Sequence, residues 1–253
     1  MANNASSTTV IFVPGGWHTP ECFDDVAERL SETGYQTNYV RLASVGPKEH
    51  VKSIQPDVDV IRSHVERAVN QGQKVVMVMH SYASVPTCDA VYGLEYKTRQ
   101  AEGKEGGVTH LFFMSAFIIG GGMSLLDAFG GNDLPWWDIS EDKLEVQPIK
   151  PEEIFYNDMP EDLQKSAIAS LKSFSYQVFH SKMQHASWQV IPSTFLYCSQ
   201  DKAIPPFIQE MMVKEVAKGY EIRTETVDAG HSPFVMKAEE TAVAIRRAAE
   251  LPV

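Results

Sequence analysis

Three residues of this chain have the types and order needed for covalent catalysis: Ser81, Asp201 and His231. A serine hydroxyl is a weak nucleophile near neutral pH and needs a base within hydrogen-bond reach. Histidine is the usual base, and a buried carboxylate fixes its tautomer and stabilises the imidazolium that forms. Each of the three follows a run that reads as a strand: "VVMVM" before His80-Ser81-Tyr82, "STFLYCSQ" before Asp201, and "YEIRTETVDAG" before His231. Taken alone, a serine after an apolar strand is more often a helix cap. A turn aspartate more often bonds its own backbone. Together, in this order, they point to acyl-transfer chemistry. Asp228 is a second carboxylate near His231, for which a plain turn role is the simpler reading.

The elements that must position these residues follow from hydrophobic period and punctuation. Apolar runs at 9–13, 74–79, 108–114 and 193–198 read as strands, joined by alternating segments in "YQTNYVRL" and at 220–227. Between them, 20–30, 57–71, 206–218 and 238–250 carry apolar residues at helical spacing, and a further helical segment follows Ser81 to about residue 96. A charged excursion, "KTRQAEGKEGG", separates that segment from the fourth strand. Strands alternating with helices imply parallel crossovers, hence a doubly wound α/β sheet, here mostly parallel and six-stranded. Ligands bind at the carboxyl ends of such strands. Gly15-Gly16, Ser81, Asp201 and His231 all fall at predicted strand ends, so one topology brings them to one sheet edge.

The rhythm breaks between residues 114 and 193. That stretch is too long for a crossover and too apolar for a disordered linker. It predicts a helical cap inserted at 119–188, over a core made of 1–118 and 189–253. The cap holds Trp136, Trp137, Phe155, Tyr156, Phe179 and Trp188. Tyr156 and Trp188, with Trp17 and His18 beside the glycine pair, are the expected walls of an apolar substrate pocket. His80 precedes Ser81 and should point to the other face of its strand, buried and hydrogen-bonded. The glycines at 120–122 and 130–131 lack a following Lys-Ser/Thr pair, so no phosphate loop is read there.

Bulk properties narrow the partners. With 33 acidic against 22 basic side chains, the net charge is −11, and no basic face exists for nucleic acid or anionic membrane. Three scattered cysteines define neither a disulfide framework nor a metal pair. His180 and His185 are five apart rather than four, which disfavours a helical zinc site. No apolar run reaches the roughly 20 residues of a membrane span, and "MANNASSTT" has no signal-peptide pattern. A cytoplasmic protein acting on a small molecule, without metal or cofactor, is expected. Nothing in the sequence specifies an oligomeric state.

Four stretches resemble the α/β-hydrolase superfamily, and more closely its small fungal branch related to plant methylesterases and hydroxynitrile-lyase-like proteins. "FVPGGWHTPECFDDVAERL" resembles the oxyanion loop and first helix, "VMHSYASVP" the nucleophile elbow, "YCSQDKAIPP" the acid loop and "DAGHSPFVMKAEE" the histidine loop. The resemblance implies Ser81 as nucleophile, His231 as base and Asp201 as orienting acid, with the backbone N–H groups of Gly16 and Tyr82 as the oxyanion hole. It also implies a serine hydrolase acting on a carboxylic ester or lactone. A carbon–carbon lyase or cyclising enzyme, or a binding protein on the same fold, are the alternatives. The elbow departs from Gly-x-Ser-x-Gly, with Met79 and Ala83 at the glycine positions. Ser232 stands where cyanohydrin lyases of the superfamily carry lysine, and Pro14 where the loop commonly has histidine.

Overall fold

A computed structural model describes residues 8–251. Segment 1–7, which carries the signal-peptide reading, lies outside the described residues. The main sheet is formed by β1 (Thr8–Val13), β2 (Gln36–Tyr39), β3 (Lys74–His80), β4 (Gly107–Met114), β8 (Ser193–Cys198) and β9 (Ile222–Val227). Its order is β2-β1-β3-β4-β8-β9, and every pairing is parallel. The sequence dictates this arrangement through β3 and β4, whose residues are apolar on both faces and almost all buried, as strands between two helical layers must be.

Each strand divides its side chains between two cores. Val13, Met77, Met79, Leu111 and Phe113 enter the larger one, with α2 (Gln55–Val69), α3 (Ser84–Ala90) and the cap. Phe12, Val78, Phe112 and Met114 enter the smaller one, closed by α1 (Asp24–Glu32) and α10 (Ala238–Ala249). In α2, Val58, Ile61, Val65, Ala68 and Val69 form the buried stripe at helical spacing.

Two departures from expectation have clear causes. The helix after Ser81 stops at Ala90, near Gly93 in the left-handed region. The charged excursion then begins with α4 (Tyr96–Ala101) rather than a loop. Arg99 turns inward there, donating to the carbonyls of Val69, Glu105 and Gly106 at 3.0 to 3.1 Å. The predicted helix 206–218 is likewise interrupted: α8 (Pro206–Met211) continues as one π-helical turn, Met212–Val216.

The inserted segment is not helical throughout. It contains α5 (Leu125–Ala128), α6 (Pro151–Ile154) and α7 (Glu161–Ser170). It also contains a three-stranded antiparallel sheet of β5 (Trp137–Ile139), β6 (Glu145–Pro148) and β7 (Phe174–Ser175). Strands of two to four residues are too short to show alternation in sequence. The short helix α9 (Pro233–Met236) leads from His231 towards α10. Among the described residues, no helix is long and apolar enough to cross a membrane.

His110, buried in β4 against the Thr194 hydroxyl at 2.9 Å, makes the fold acid-sensitive. Burial lowers its pKa from 6.5 to about 4, and the nearby Arg223 charge acts in the same direction. Between those values only the unfolded chain takes up the proton, so stability present above pH 6.5 is lost as pH falls toward 4. One such group contributes on the order of 3 kcal/mol. Thermal unfolding midpoints should therefore fall over this window, and fall less steeply in His110→Gln. Parallel slopes in the two proteins would refute the assignment.

Candidate active site

Ser81 sits at the sharp exit from β3, at φ 53°, opening a single 3-10 turn that leads into α3. The left-handed region is strained for a residue with a side chain, and its neighbours fit around it. A Cβ on Gly15 would lie 2.8 Å from Ser81 Cβ and 2.9 Å from His80 Nδ1, so the loop after β1 can approach only as glycine. Met79 and Ala83, at the missing glycine positions, are fully buried in the larger core. Met79 is paired with Val13 and Phe113. Its bulk is absorbed on the face of β3 opposite to that of His80, which explains how the turn tolerates it.

The N–H groups expected as an oxyanion hole come from either side of this turn. Tyr82 follows Ser81 in the first helical turn, where backbone N–H groups lack intrahelical partners. Gly16 lies in the loop that Gly15 packs against the serine. The Tyr82 hydroxyl is anchored below by donating to Asp57 at 2.8 Å. Asp57 also accepts the Ser44 N–H at 2.9 Å and hydroxyl at 2.6 Å. Burial raises the Asp57 carboxyl above its usual range and pushes the Tyr82 phenol well up.

Asp201 and His231 meet at the same sheet edge. His231 Nδ1 lies 3.0 and 3.1 Å from the two Asp201 oxygens. A carboxylate accepts, so Nδ1 donates to Asp201 and Nε2 is the ring nitrogen turned away from that bond. Among the described residues that Nε2 has no hydrogen-bond partner. Asp201 is further held by the N–H groups of Ala203 and Ile204 at 2.8 and 2.9 Å, and by the Gln209 amide at 3.3 Å. Asp228 is exposed and accepts from the side chains of Ser199 and Gln200 rather than from its own backbone.

Ser115 was not visible as a site residue. It follows β4 at φ 45°, fully buried, and its hydroxyl donates to Asp201 while lying 3.0 Å from His231 Nδ1. His80, also fully buried, donates from Nε2 to the His231 carbonyl at 2.9 Å; its Nδ1 has no partner among the described residues. Burial holds its pKa well below 6.5, reinforced by His231 and His18.

The four expected pocket walls separate. Trp17 lines a narrow cavity of about 20 Å3 at Ser81, with Tyr82, Phe117, Leu134 and Trp136. His18 and Tyr156 instead line a separate cleft with Cys22 and Leu163. His18 Nδ1 donates to Gly16 O at 2.8 Å, and its Nε2 accepts the Tyr156 hydroxyl at 3.0 Å. Burial lowers the His18 pKa to about 4, so the ring stays neutral. Trp188 is a correction: it stacks edge-on to Tyr220 and lines a cleft with His110 and Ser193, at the opposite end of β8. Its indole donates to Ile119 O at 3.0 Å, so it packs the cap base rather than the pocket.

Sequence reasoning missed the main cavity. It measures about 530 Å3 and shares Phe117, Phe129, Leu134, Ala203 and Ile204 with the narrow cavity at Ser81. Its far wall is Met211, Met212 and Val216 of the α8 and π-helical turn. The side chains that line it are all apolar, and the shared residues form a common wall between it and the narrow cavity at Ser81.

Residues 10–244 match the Alpha/beta hydrolase family. The chain is 27% identical over 243 residues to the Alpha/beta hydrolase nvfD of Aspergillus novofumigatus, covering 95% of this chain and 96% of that protein. A crystal structure of a pyrethroid hydrolase from Sphingobium faniae JZ-2 superposes with a TM-score of 0.77 at 18% identity, covering 97% of this chain and 98% of the other. An Arabidopsis methylesterase does so at 0.74 and 15%, covering 96% and 98%.

Removing the Ser115 hydroxyl takes one donor from a buried carboxylate. Ser115→Ala is expected to destabilise the fold by about 1–2 kcal/mol, measured as a lower denaturant midpoint with an unchanged slope. An unaltered midpoint would show that the bond contributes nothing.

Proposed function

The chain belongs to the alpha/beta hydrolase family, and we propose that it opens a carboxylic ester or lactone of an apolar, often aromatic, small molecule through an acyl-Ser81 intermediate. One observation supports this above others. The Asp201 carboxylate fixes the His231 proton on Nδ1, leaving Nε2 as a base at the sheet edge where half-buried Ser81 leaves β3 by its left-handed turn.

In this reading Nε2 takes the Ser81 proton as Oγ attacks the substrate carbonyl. The oxygen of the tetrahedral intermediate accepts the N–H groups of Gly16 and Tyr82. Collapse breaks the ester C–O bond, and the departing alkoxide takes the proton from His231; in a lactone it stays tethered to the acyl chain. Water then gives a proton to Nε2 and attacks the acyl carbon, and a second collapse releases the acid and restores the serine. Oxyanion donors of this kind contribute about 10²–10³ in rate. The reaction needs no cofactor.

The apolar cavity joined to Ser81 supports the substrate class. A cavity of this size and lining favours a hydrophobic body over a sugar or polyanion. Among its structural neighbours are a methylesterase and a pyrethroid hydrolase, names consistent with ester chemistry on small molecules.

Ser81→Ala should lower turnover of p-nitrophenyl esters by roughly four to six orders of magnitude, and an organophosphonate should label the wild-type protein at Ser81. Unchanged turnover in the mutant would sink the nucleophile role. Ala203→Phe should narrow the shared passage, lowering kcat/KM for long-chain or bulky aryl esters much more than for acetates. An equal loss on both would detach the cavity from the reaction.

A further inference from the structure

The cap touches all three loops of the site through one short stretch, Tyr156-Asn157-Asp158. The Tyr156 hydroxyl donates to His18 Nε2 at 3.0 Å, and His18 in turn donates to Gly16 O. Asn157 Nδ2 donates to the carbonyl of Gln200 at 3.0 Å, the residue immediately before Asp201. Asp158 Oδ2 accepts the N–H of Gly230 at 2.8 Å, the residue immediately before His231. Phe155 adds ring contacts to Trp17 at 5.4 Å, His18 at 5.6 Å and His231 at 5.5 Å.

The stretch is itself held firmly. It lies between α6 and α7, and the Gln164 amide of α7 donates to the Tyr156 carbonyl at 3.0 Å. Gly230 fits against it only because it lacks a side chain: a Cβ there would lie 2.7 Å from both Asn157 Oδ1 and Asp158 Oδ1. Those two oxygens are buried and have no hydrogen-bond partner among the described residues. Leaving a polar atom unpaired costs about 1–3 kcal/mol. The arrangement is explained if the other end of each side chain is committed to a site loop.

We propose that Tyr156-Asn157-Asp158 is a positioning clasp by which the cap holds the oxyanion, acid and base loops in register. The inference rests on the hydrolase reading for its kinetic consequence, not for its geometry. None of the three residues touches the reacting atoms; they act through Gly16, Asp201 and His231. Because the productive geometry is sensitive to shifts of about 1 Å, releasing one loop should slow chemistry while leaving the apolar binding cavity intact.

Two variants and two readouts test it. Asp158→Ala removes the acceptor for Gly230, whereas Asp158→Asn keeps a carbonyl oxygen there. With p-nitrophenyl esters, Asp158→Ala should lower kcat by about 10- to 100-fold with KM little changed, and Asp158→Asn should restore kcat. A loss of thermal stability with wild-type kcat would reduce the stretch to ordinary packing and overturn the proposal. In NMR spectra, the Gly230 amide and His231 ring resonances should shift in Asp158→Ala and return toward wild type in Asp158→Asn. Unmoved resonances in folded Asp158→Ala would overturn the clasp whatever the protein cleaves. Wild-type turnover that survives Ser81→Ala would instead overturn the hydrolase reading, and the spectra would still decide the clasp.

Discussion

Holding Ser81 in the left-handed region at the end of a central parallel strand costs about 1–3 kcal/mol, and much of the surrounding sheet is arranged around that cost. The adjacent strand ends the same way. His80 and Met114 are register partners, and the residue after each is a serine at positive φ, 53° for Ser81 and 45° for Ser115. Two neighbouring strands thus leave the sheet by the same kind of bend, and the bends send two hydroxyls to different work. Ser81 opens onto the cavity, whereas Ser115 is enclosed against Asp201 and His231. In the loop after β1, the bare Cα of Gly15 lets the chain lie against both His80 and Ser81.

Two buried carboxylates support the residues around this turn, and among the described residues neither forms a salt bridge with a lysine or arginine. Asp201 is held by backbone N–H groups, Gln209, Ser115 and His231. Asp57 is held by Ser44 and Tyr82. In a low-dielectric interior, neutral dipoles of this kind can stabilise an anion without adding a competing cation to the site. Asp201 binds the His231 imidazole, and Asp57 binds the hydroxyl of Tyr82, the residue after the serine. The side chain of Tyr82 is therefore as much a part of the elbow as its peptide.

The sheet was legible in the sequence because its central strands are buried on both faces and read as apolar runs, while the edge strands β2 and β9 show only alternation; 193–198 matches β8 at both ends. The approach of Ser81, Asp201 and His231 to one edge followed from topology alone. What failed to show had physical reasons. Ser115 follows "LFFM" much as Ser81 follows "VVMVMH", yet no third residue elsewhere in the chain marks it as a partner. Gln209 lies on a short helix as an ordinary polar residue, and only folding turns its amide onto Cys198, Ile204 and Asp201. Trp188 and Tyr156 looked alike as cap aromatics. Their indole and phenol hydrogen bonds, which sequence does not specify, decide that one packs the base of the cap and the other pins it to His18.

The cap therefore carries two demands that fall on different residues. Its stretch from Met123 to Leu134, facing the α8 and π-helical turn, walls the main cavity with flexible or aromatic side chains. Methionines tolerate changes of shape, and one of them, Met212, uses its sulfur to accept the Ile118 N–H at 3.3 Å. A π-helical turn at such a wall displaces side chains without breaking the helix. The stretch from Phe155 to Asp158 has no such freedom, because every side chain in it is matched to a loop of the site. Substitutions that reshape the main cavity can accumulate on the first surface while the second keeps the loops in place. A narrow neck at Ser81 then separates a wall free to vary from a frame that is not.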